Sequence, residues 1–417
     1  MPANPLRALR FERTPLMSRT TFTASLVNAM LKPSTGGRKR PLETWAKAVA
    51  QVEASTGWSA EGEEQFVADL GFHLQCLADE PRLTPFGWQS GLLDAKSRLE
   101  NRLRIRQRIL EHPEIADERI VDPVFVVGLP RTATTLAHKI LAASDAHRGP
   151  LLWEMLRTDV PVPQKESEKT IRMIESGARM MVRFAPSWEV IHPIRAREPE
   201  ESMFILPHGT YHLALRGALP KYKAWLGERD YTPDYVYLKQ ALQVLQYGRE
   251  PKRWTLKYPA HLNDMDVIRQ VFPDAKFVWT HRDPTTVMGS VCSLMETSWS
   301  LYQRRPDLDE IGQVALGLLV DSIERGRQSR ITLPSDAIVD VPYHRLNSDP
   351  VNEVPKLYKA IHAEWTEKDA GNLEHVLARP QRDRRHEYSL SRYGLTIQGV
   401  EDAFGDYVRL CGTLNTR

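Results

Sequence analysis

Cysteine is scarce in this sequence, and the absence of paired cysteine motifs narrows the classes of protein to consider. The 417 residues include three cysteines, Cys76, Cys292 and Cys411, which stand far apart and form no CxxC pair. An odd and widely spaced set provides neither a disulfide framework nor a tetrahedral zinc site. It is typical of a protein in a reducing compartment, so a cytoplasmic location is expected.

Long apolar runs and a strong net charge are also missing. No stretch approaches the roughly 18–20 apolar residues that a transmembrane helix needs, and no integral membrane segment is expected. Residues 1–31 contain four arginines but no continuous apolar stretch, so a secretory signal is not expected. The net charge of +3 is too small to predict nucleic acid or an anionic membrane as a partner.

What the sequence does contain is typical of a large globular protein. Hydrophobic residues make up 41% of the chain, which is enough for a sizeable core. Residues 1–118 predict a helical N-terminal region. Apolar side chains recur there at close to helical spacing between residues 92 and 110, and Pro81, Pro85 and Pro113 separate the helices.

Residues 119–417 show strands that alternate with helices. Short apolar, β-branched or aromatic runs predict strands at 123–127, 254–257, 276–280 and 337–341, with helices at 134–143, 263–271 and 284–295. The segment at about 161–248 is mainly helical and is expected to be an insertion that forms the site for the substrate that accepts the transferred group. This alternation predicts a three-layer α/β fold with a parallel sheet, whose ligands bind at the carboxyl ends of the strands.

The sharpest signal is the segment between the first predicted strand and its helix. It reads Gly128-Leu-Pro-Arg-Thr-Ala-Thr-Thr135. A loop that enters a helix presents free backbone N–H groups and the positive end of the helix dipole, which together bind an anion. Arg131 adds a positive side chain to the same loop. The segment therefore predicts a phosphate-binding site rather than an ordinary strand–helix turn.

The spacing of this loop resembles the nucleotide loop GxxxxGK[ST] with two departures. Ala133 replaces the second glycine, and Thr134 replaces the lysine. ATP-dependent transfer uses Mg²⁺ because the γ-phosphoryl group carries two charges, whereas a sulfuryl group carries one, which an arginine and backbone amides can stabilise. No metal is therefore expected. A P-loop kinase, the alternative enzyme, would have a loop lysine and a Mg²⁺-binding Ser/Thr–Asp pair.

The same eight residues resemble the 5′-phosphosulfate-binding loop, usually written GLPRTGTT, of the bacterial sulfotransferases that use 3′-phosphoadenosine-5′-phosphosulfate (PAPS). The resemblance extends from about Asp122 to the end of the chain. It implies that Arg131, Thr132, Ala133, Thr134 and Thr135 bind the phosphosulfate. Family sequences usually have glycine where Ala133 stands. The alanine is expected to tighten the loop or to require a negative φ.

A second element of nucleotide recognition follows the predicted strand at 276–280. Arg282 lies at the carboxyl end of that strand, Asp283 and Pro284 favour a helix start, and Ser290 lies on the helix. This Arg-x₇-Ser spacing is similar to the family's 3′-phosphate-binding element, which implies selectivity for a nucleotide with a 3′-phosphate. The resemblance also implies that Tyr343 packs on the adenine, and a core position is the alternative.

Sulfuryl transfer needs a base for the acceptor's proton and cations beside the oxygens that gain charge. Arg131 is one cation. Lys257, in a segment similar to the family's LKSPAHL element, is the second. Glu154 and His261 compete as the base. Glu154, 23 residues after Arg131, is favoured because it is expected at the end of the next strand, beside the phosphate loop.

The acceptor side is marked by an acidic run and by apolar composition. Glu198-Pro-Glu-Glu201 resembles another recurring element of the family, and it either lines the acceptor pocket or begins a helix. Hydrophobic and aromatic residues between positions 173 and 247 favour a small, partly apolar alcohol, phenol or lipid.

The sequence thus predicts an enzyme that transfers a sulfuryl group from PAPS to a hydroxyl group and releases adenosine 3′,5′-bisphosphate. A kinase is one alternative. A catalytically silent nucleotide-binding protein is the other, but such a protein would have no need to keep Arg131, Lys257, Arg282 and Ser290. The oligomeric state stays open.

Overall fold

A parallel sheet of five strands in the order β2-β3-β1-β4-β5 lies at the centre of the protein. The computed structural model describes residues 19–159, 165–378 and 389–416. The strands are β1 Val124–Gly128, β2 His147–Arg148, β3 Arg253–Lys257, β4 Lys276–His281 and β5 Ile338–Pro342. The predicted α/β class with a parallel sheet is confirmed. The short edge strand β2 is not among the strands predicted by range, and it stops at Arg148 rather than near Glu154, where a strand end was expected.

Helices precede the sheet, connect its strands and cover it. The N-terminal helices are α1 Phe22–Leu31, α2 Pro41–Thr56, α3 Glu64–Ala78 and α4 Pro85–Glu111. Between β1 and β3 lie α5 Thr134–Ala142, α6 Leu152–Leu156, α7 Lys165–Phe184, α8 Trp188–Ile191, α9 Tyr211–Arg216, α10 Pro220–Glu228 and α11 Thr232–Gln246. The later helices are α12 Met265–Val271, α13 Pro284–Tyr302, α14 Leu308–Thr332, α15 Tyr343–Ser348, α16 Pro350–Ala360, α17 Glu367–Leu377, α18 Ile397–Phe404 and α19 Asp406–Thr416. In the described part of the chain, no helix is long and apolar enough to cross a bilayer.

Strand β1 shows how the layers form. Its residues are all buried, and successive side chains point to opposite faces of the sheet. Phe125 and Val127 join the hydrophobic cluster that also contains Leu99 and Leu103 of α4. The alternate residues of β1 join a second cluster, with side chains from α5, α16 and α17. The N-terminal helices and the sheet thus share one core, and the domain boundary near residue 119 stays a prediction.

A buried carboxylate joins the first described residue and the start of the last described segment to helix α13. Glu296 is 2% exposed. It accepts hydrogen bonds from Arg19 at 2.8 Å, from Arg392 at 2.6 Å and from the hydroxyl of Tyr393 at 2.8 Å. Burial alone would raise the pKa of Glu296, but these donors outweigh it and lower the pKa from 4.5 to about 2.

This lowered pKa predicts a stability that falls in acid. The carboxylate stabilises the fold fully above its unfolded pKa of 4.5 and loses that contribution as the pH falls toward 2. We expect Glu296→Gln to lower the free energy of unfolding by roughly 3 kcal/mol at pH 7, because three donors lose a charged acceptor. The deficit relative to the wild type should shrink as the pH approaches 3.

Urea denaturation at a series of pH values measures this difference. Glu43→Gln is the matched control, because Glu43 is an exposed glutamate that forms a surface ion pair with Arg40. It should change stability by less than about 1 kcal/mol at any pH. A deficit of Glu296→Gln that stays constant from pH 7 to pH 3 would contradict the assignment.

Candidate functional site

The turn between β1 and α5 has an unusual backbone. Gly128 has φ 130°, and the non-glycine residues Arg131 and Ala133 both have φ 72°. Glycine is required at 128, because a Cβ atom there would lie 2.5 Å from the carbonyl oxygen of Thr280. The expectation that Ala133 requires a negative φ is wrong. Alanine occupies the left-handed conformation that glycine adopts without cost, at a penalty of roughly 1–2 kcal/mol.

The same turn leaves backbone donors at the start of α5. The first hydrogen bond of the helix runs from the N–H of Ala137 to the carbonyl of Ala133. The N–H groups of Thr134 and Thr135 therefore precede the helical ladder and are available to an anion. The Thr132 hydroxyl has a different role, because it is buried and lies 2.6 Å from both the Leu129 carbonyl and the Thr280 hydroxyl. That side chain fixes the loop to β4 and leaves its N–H for a ligand.

The residues predicted for nucleotide recognition come together beside this turn. Nε of Arg131 donates to the hydroxyl of Ser290 at 3.0 Å. Arg282 donates to the carbonyl of Arg131, also at 3.0 Å. The guanidinium carbon of Arg282 lies 3.9 Å from the centre of the Tyr343 ring, which is only partly buried. Tyr343 thus occupies the edge of the site and not the core.

A second group of charged residues lies at the end of β3. Lys257 is 1% exposed, and its Nζ contacts the carboxylate of Glu201 and lies 3.8 Å from Glu200. The other oxygen of Glu200 is 3.4 Å from Nε2 of His192. The acidic run precedes a short helical turn, because Glu201 is the N-cap residue of the 3₁₀ helix Ser202–Phe204. Pro199 pairs with Leu151 in an isolated bridge, which holds the glutamates against the sheet edge.

This charged group adjoins the phosphate turn through residue 191. Arg131 Nη1 donates to the carbonyl of Ile191 at 3.4 Å, and His192 follows directly in the chain. Burial acts to lower the pKa of His192, but the adjacent Glu200 outweighs burial and raises it. Burial also acts to raise the pKa of Glu200, but His192 and Lys257 lower it. Sequence reasoning did not select His192, because only the fold brings it next to Glu200.

The structure does not place Glu154 where the sequence suggested. Glu154 lies in helix α6 and not at a strand end. Its Oε1 accepts from Arg148 at 2.7 Å and from Arg249 at 2.9 Å, and its Oε2 accepts from the N–H of Leu151 at 3.0 Å. A 2% exposed carboxylate with both oxygens engaged has a structural role. We therefore do not assign the acceptor's proton to Glu154.

His261, the second candidate base, lies inside the core. It is fully buried, and its Nδ1 lies 2.9 Å from the hydroxyl of Tyr235. Its ring packs edge-on against Phe125 and Tyr258. Burial lowers the pKa of His261 to about 3, so the imidazole stays neutral in the core.

A parallel sheet with a tight turn between its central strand and the following helix is the arrangement of a P-loop-like fold. A sequence profile of the Sulfotransferase family matches residues 123–367. The chain belongs to this sulfotransferase family, and the predicted enzyme class is confirmed.

Mycobacterial proteins are among its relatives. The crystal structure of sulfotransferase STF1 from Mycobacterium tuberculosis matches with a TM-score of 0.76 at 28% identity, over 86% of this chain and 98% of that one. Sulfotransferase STF9 from Mycobacterium avium matches with a TM-score of 0.78 at 28% identity, over 88% and 96%. The omega-hydroxy-beta-dihydromenaquinone-9 sulfotransferase Stf3 of Mycobacterium bovis is 24% identical over 320 residues, which are 73% of this chain and 79% of Stf3.

The positive φ of Ala133 predicts that an alanine-to-glycine substitution changes the free energy of unfolding in opposite directions at positions 133 and 50. Ala133→Gly should raise the free energy of unfolding by about 1 kcal/mol, because glycine adopts positive φ without strain. Ala50→Gly, at an exposed position within α2, should lower it by about 1 kcal/mol, because glycine disfavours a helix interior. Chemical denaturation measures both. Destabilisation by Ala133→Gly would contradict the strained conformation.

Proposed function

We propose that this sulfotransferase uses PAPS as its donor and sulfates a hydroxyl group of an apolar, lipid-like acceptor. The observation that carries the proposal is the junction of Arg131, Ser290, Arg282 and Tyr343 beside the N-terminus of α5. This junction offers two places for anions and one aromatic face for a purine. A nucleotide with phosphate groups at both ends of its ribose fits that arrangement.

Each part of the junction has a distinct role in this proposal. Arg131 and the N–H groups of residues 132–135 hold the 5′-phosphosulfate. Arg282 and Ser290 hold the 3′-phosphate, and the free face of Tyr343 packs on the adenine. Lys257 lies at the end of β3, outside the phosphate turn. It holds Glu200 and Glu201 in place and offsets their negative charge.

The reaction needs little beyond positioning and charge. The acceptor oxygen forms a bond to sulfur while the bond from sulfur to the bridging phosphate oxygen breaks. Negative charge grows on that bridging oxygen, where Arg131 and the loop N–H groups stabilise it. Because the sulfuryl group carries a single charge, we propose that no metal ion is required.

The acceptor class is supported by a relative and by the residues around the charged group. Stf3 is named for a hydroxylated menaquinone, which is a long apolar lipid with a hydroxyl group. Ile191 of α8, which precedes His192, is a partly exposed apolar side chain at the same place, and the buried Trp188 supports the His192 ring from 6.4 Å away. A cytoplasmic location is supported by Cys76, Cys292 and Cys411, which are all free and buried.

A transfer assay with radiolabelled PAPS tests the function. We expect label on hydroxylated polyprenyl quinols and not on their methyl ethers, with turnover that survives EDTA. Transfer from ATP with an absolute Mg²⁺ requirement would establish the kinase alternative. Binding of adenosine 3′,5′-bisphosphate without transfer to any acceptor would establish the silent nucleotide-binding protein.

The role of Arg282 can be tested with two ligands. Arg282→Ala should weaken binding of adenosine 3′,5′-bisphosphate by roughly 2–4 kcal/mol, the loss of a charge-assisted contact with phosphate. Binding of adenosine 5′-phosphosulfate, which has no 3′-phosphate, should change far less. Isothermal calorimetry measures both affinities, and Arg282→Lys should keep part of the preference. Equal losses for the two ligands would contradict the 3′-phosphate role.

A further inference from the structure

The place of His192 in the fold suggests a role that the sequence pattern did not indicate. The residue directly before it accepts a hydrogen bond from Arg131, the cation of the phosphate turn. The charged group at the end of β3 approaches from the other side, with Glu200 3.4 Å from Nε2. His192 therefore stands between the proposed sulfuryl site and the Lys257 group, at the carboxyl edge of the sheet.

The carboxylate of Glu200 lies 3.4 Å from Nε2 of His192 and favours the tautomer with its proton on that nitrogen. In this tautomer Nδ1 is the basic nitrogen of the neutral imidazole. The side chain of His192 is 26% exposed, whereas those of Glu200 and Lys257 are 11% and 2% exposed. Among the members of this group, His192 is thus the one that a bound acceptor can reach most directly.

We propose that His192 is the proton acceptor of the reaction and that Glu200 is the residue that positions it; this rests on the proposed sulfuryl transfer from PAPS. The acceptor hydroxyl gives its proton to Nδ1 of His192 as its oxygen bonds to sulfur and the bond from sulfur to the bridging oxygen breaks. The imidazolium that forms is stabilised by the carboxylate beside Nε2. It returns the proton to water after the product leaves.

The other carboxylates near the site are less suited to this task. Glu201 contacts Lys257, so its charge is already engaged. Glu154 holds Arg148 and Arg249. The contact with Lys257 would have to break before Glu201 could accept a proton. The contacts with Arg148 and Arg249 would have to break before Glu154 could do so.

The charges around His192 set the direction of its pH dependence. Glu200 and Glu201 face it and favour the protonated imidazole, while Lys257 opposes them. Arg131, across the Ile191 carbonyl, is a further positive charge nearby. The net effect raises the pKa above 6.5, so the neutral form that acts as a base appears only at higher pH. The value of kcat/KM should therefore rise with pH, with an inflection above 6.5.

Two substitutions test the pair. His192→Gln should lower kcat by roughly 10²–10⁴-fold, the usual worth of general-base catalysis, with unchanged affinity for adenosine 3′,5′-bisphosphate by calorimetry. Glu200→Gln should keep part of the activity and move the inflection of the pH profile to lower pH, because the carboxylate no longer favours the protonated imidazole. A merely structural histidine would not give that shift.

An acidic acceptor separates chemistry from packing. A nitrophenol that is largely ionised near neutral pH needs no base, so the defect of His192→Gln should nearly disappear with this acceptor. Glu154→Gln is the control variant. It should lower the melting temperature, because Arg148 and Arg249 lose a charged partner, and should leave the pH profile unchanged.

The outcomes are distinguishable. An active wild type with a normal kcat in His192→Gln would overturn this proposal and leave the proposed function intact. A wild type that binds the bisphosphate but transfers no sulfuryl group would overturn both. Loss of wild-type activity in EDTA, restored by a divalent metal, would overturn the proton-acceptor role, because His192, Glu200 and Glu201 have ligand atoms within 4.8 Å of one another and would then hold the metal.

Discussion

The site depends on a strained turn that the neighbouring strand holds in place. Arg131 and Ala133, which flank Thr132 between β1 and α5, both have φ 72°. Such a backbone costs free energy, and it persists only where surrounding contacts fix it. Here the Thr132 hydroxyl bonds to Thr280 of β4, and Arg282, which follows β4, bonds to the carbonyl of Arg131. The pairing of β1 with β4 is therefore what keeps the N–H groups and Arg131 at one point.

A second constraint, the burial of Lys257, explains why charged residues gather at the end of β3. A lysine that is 1% exposed is costly to keep charged unless carboxylates compensate it. Glu201 makes that contact and Glu200 adds to it, which concentrates negative charge beside the phosphate turn. His192, whose pKa is raised by Glu200, offsets part of this negative charge when it is protonated. A buried lysine, two glutamates and a histidine thus form one balanced unit, in which changing any member alters the charge that the others experience.

Local sequence patterns were enough to predict the features that depend on residues close together in the chain. Buried β-branched runs, a helix start after Gly128 and the Asp283-Pro284 cap placed four strands and the residues Arg131, Arg282 and Ser290 at one edge of the sheet, which is where the structure has them. Glu154 was different. Its expected place depended on a strand end, but β2 has only two residues and stops six positions earlier. Two arginines then engage the side chain, one from β2 and one just before β3. His192 was not predicted because Glu200 is eight positions further along the chain, and only the tertiary fold brings the two side chains together.

Helix α13 links the proposed nucleotide site to Arg19 and to the segment around Arg392. It begins after Asp283, which caps it by accepting the N–H of Thr286, and Ser290 faces Arg131 from its second turn. Glu296, six residues further on, points to a different side and holds Arg19 and Arg392. Because a helix moves as a rigid element, a displacement of α13 that broke the Glu296 contacts would also shift Ser290 relative to the phosphate turn. Arg19 and Arg392 therefore stabilise the helix that carries Ser290. The C-terminal helix α19 contacts the site directly, because the thiol of Cys411 lies 3.6 Å from the carbonyl oxygen of Arg282.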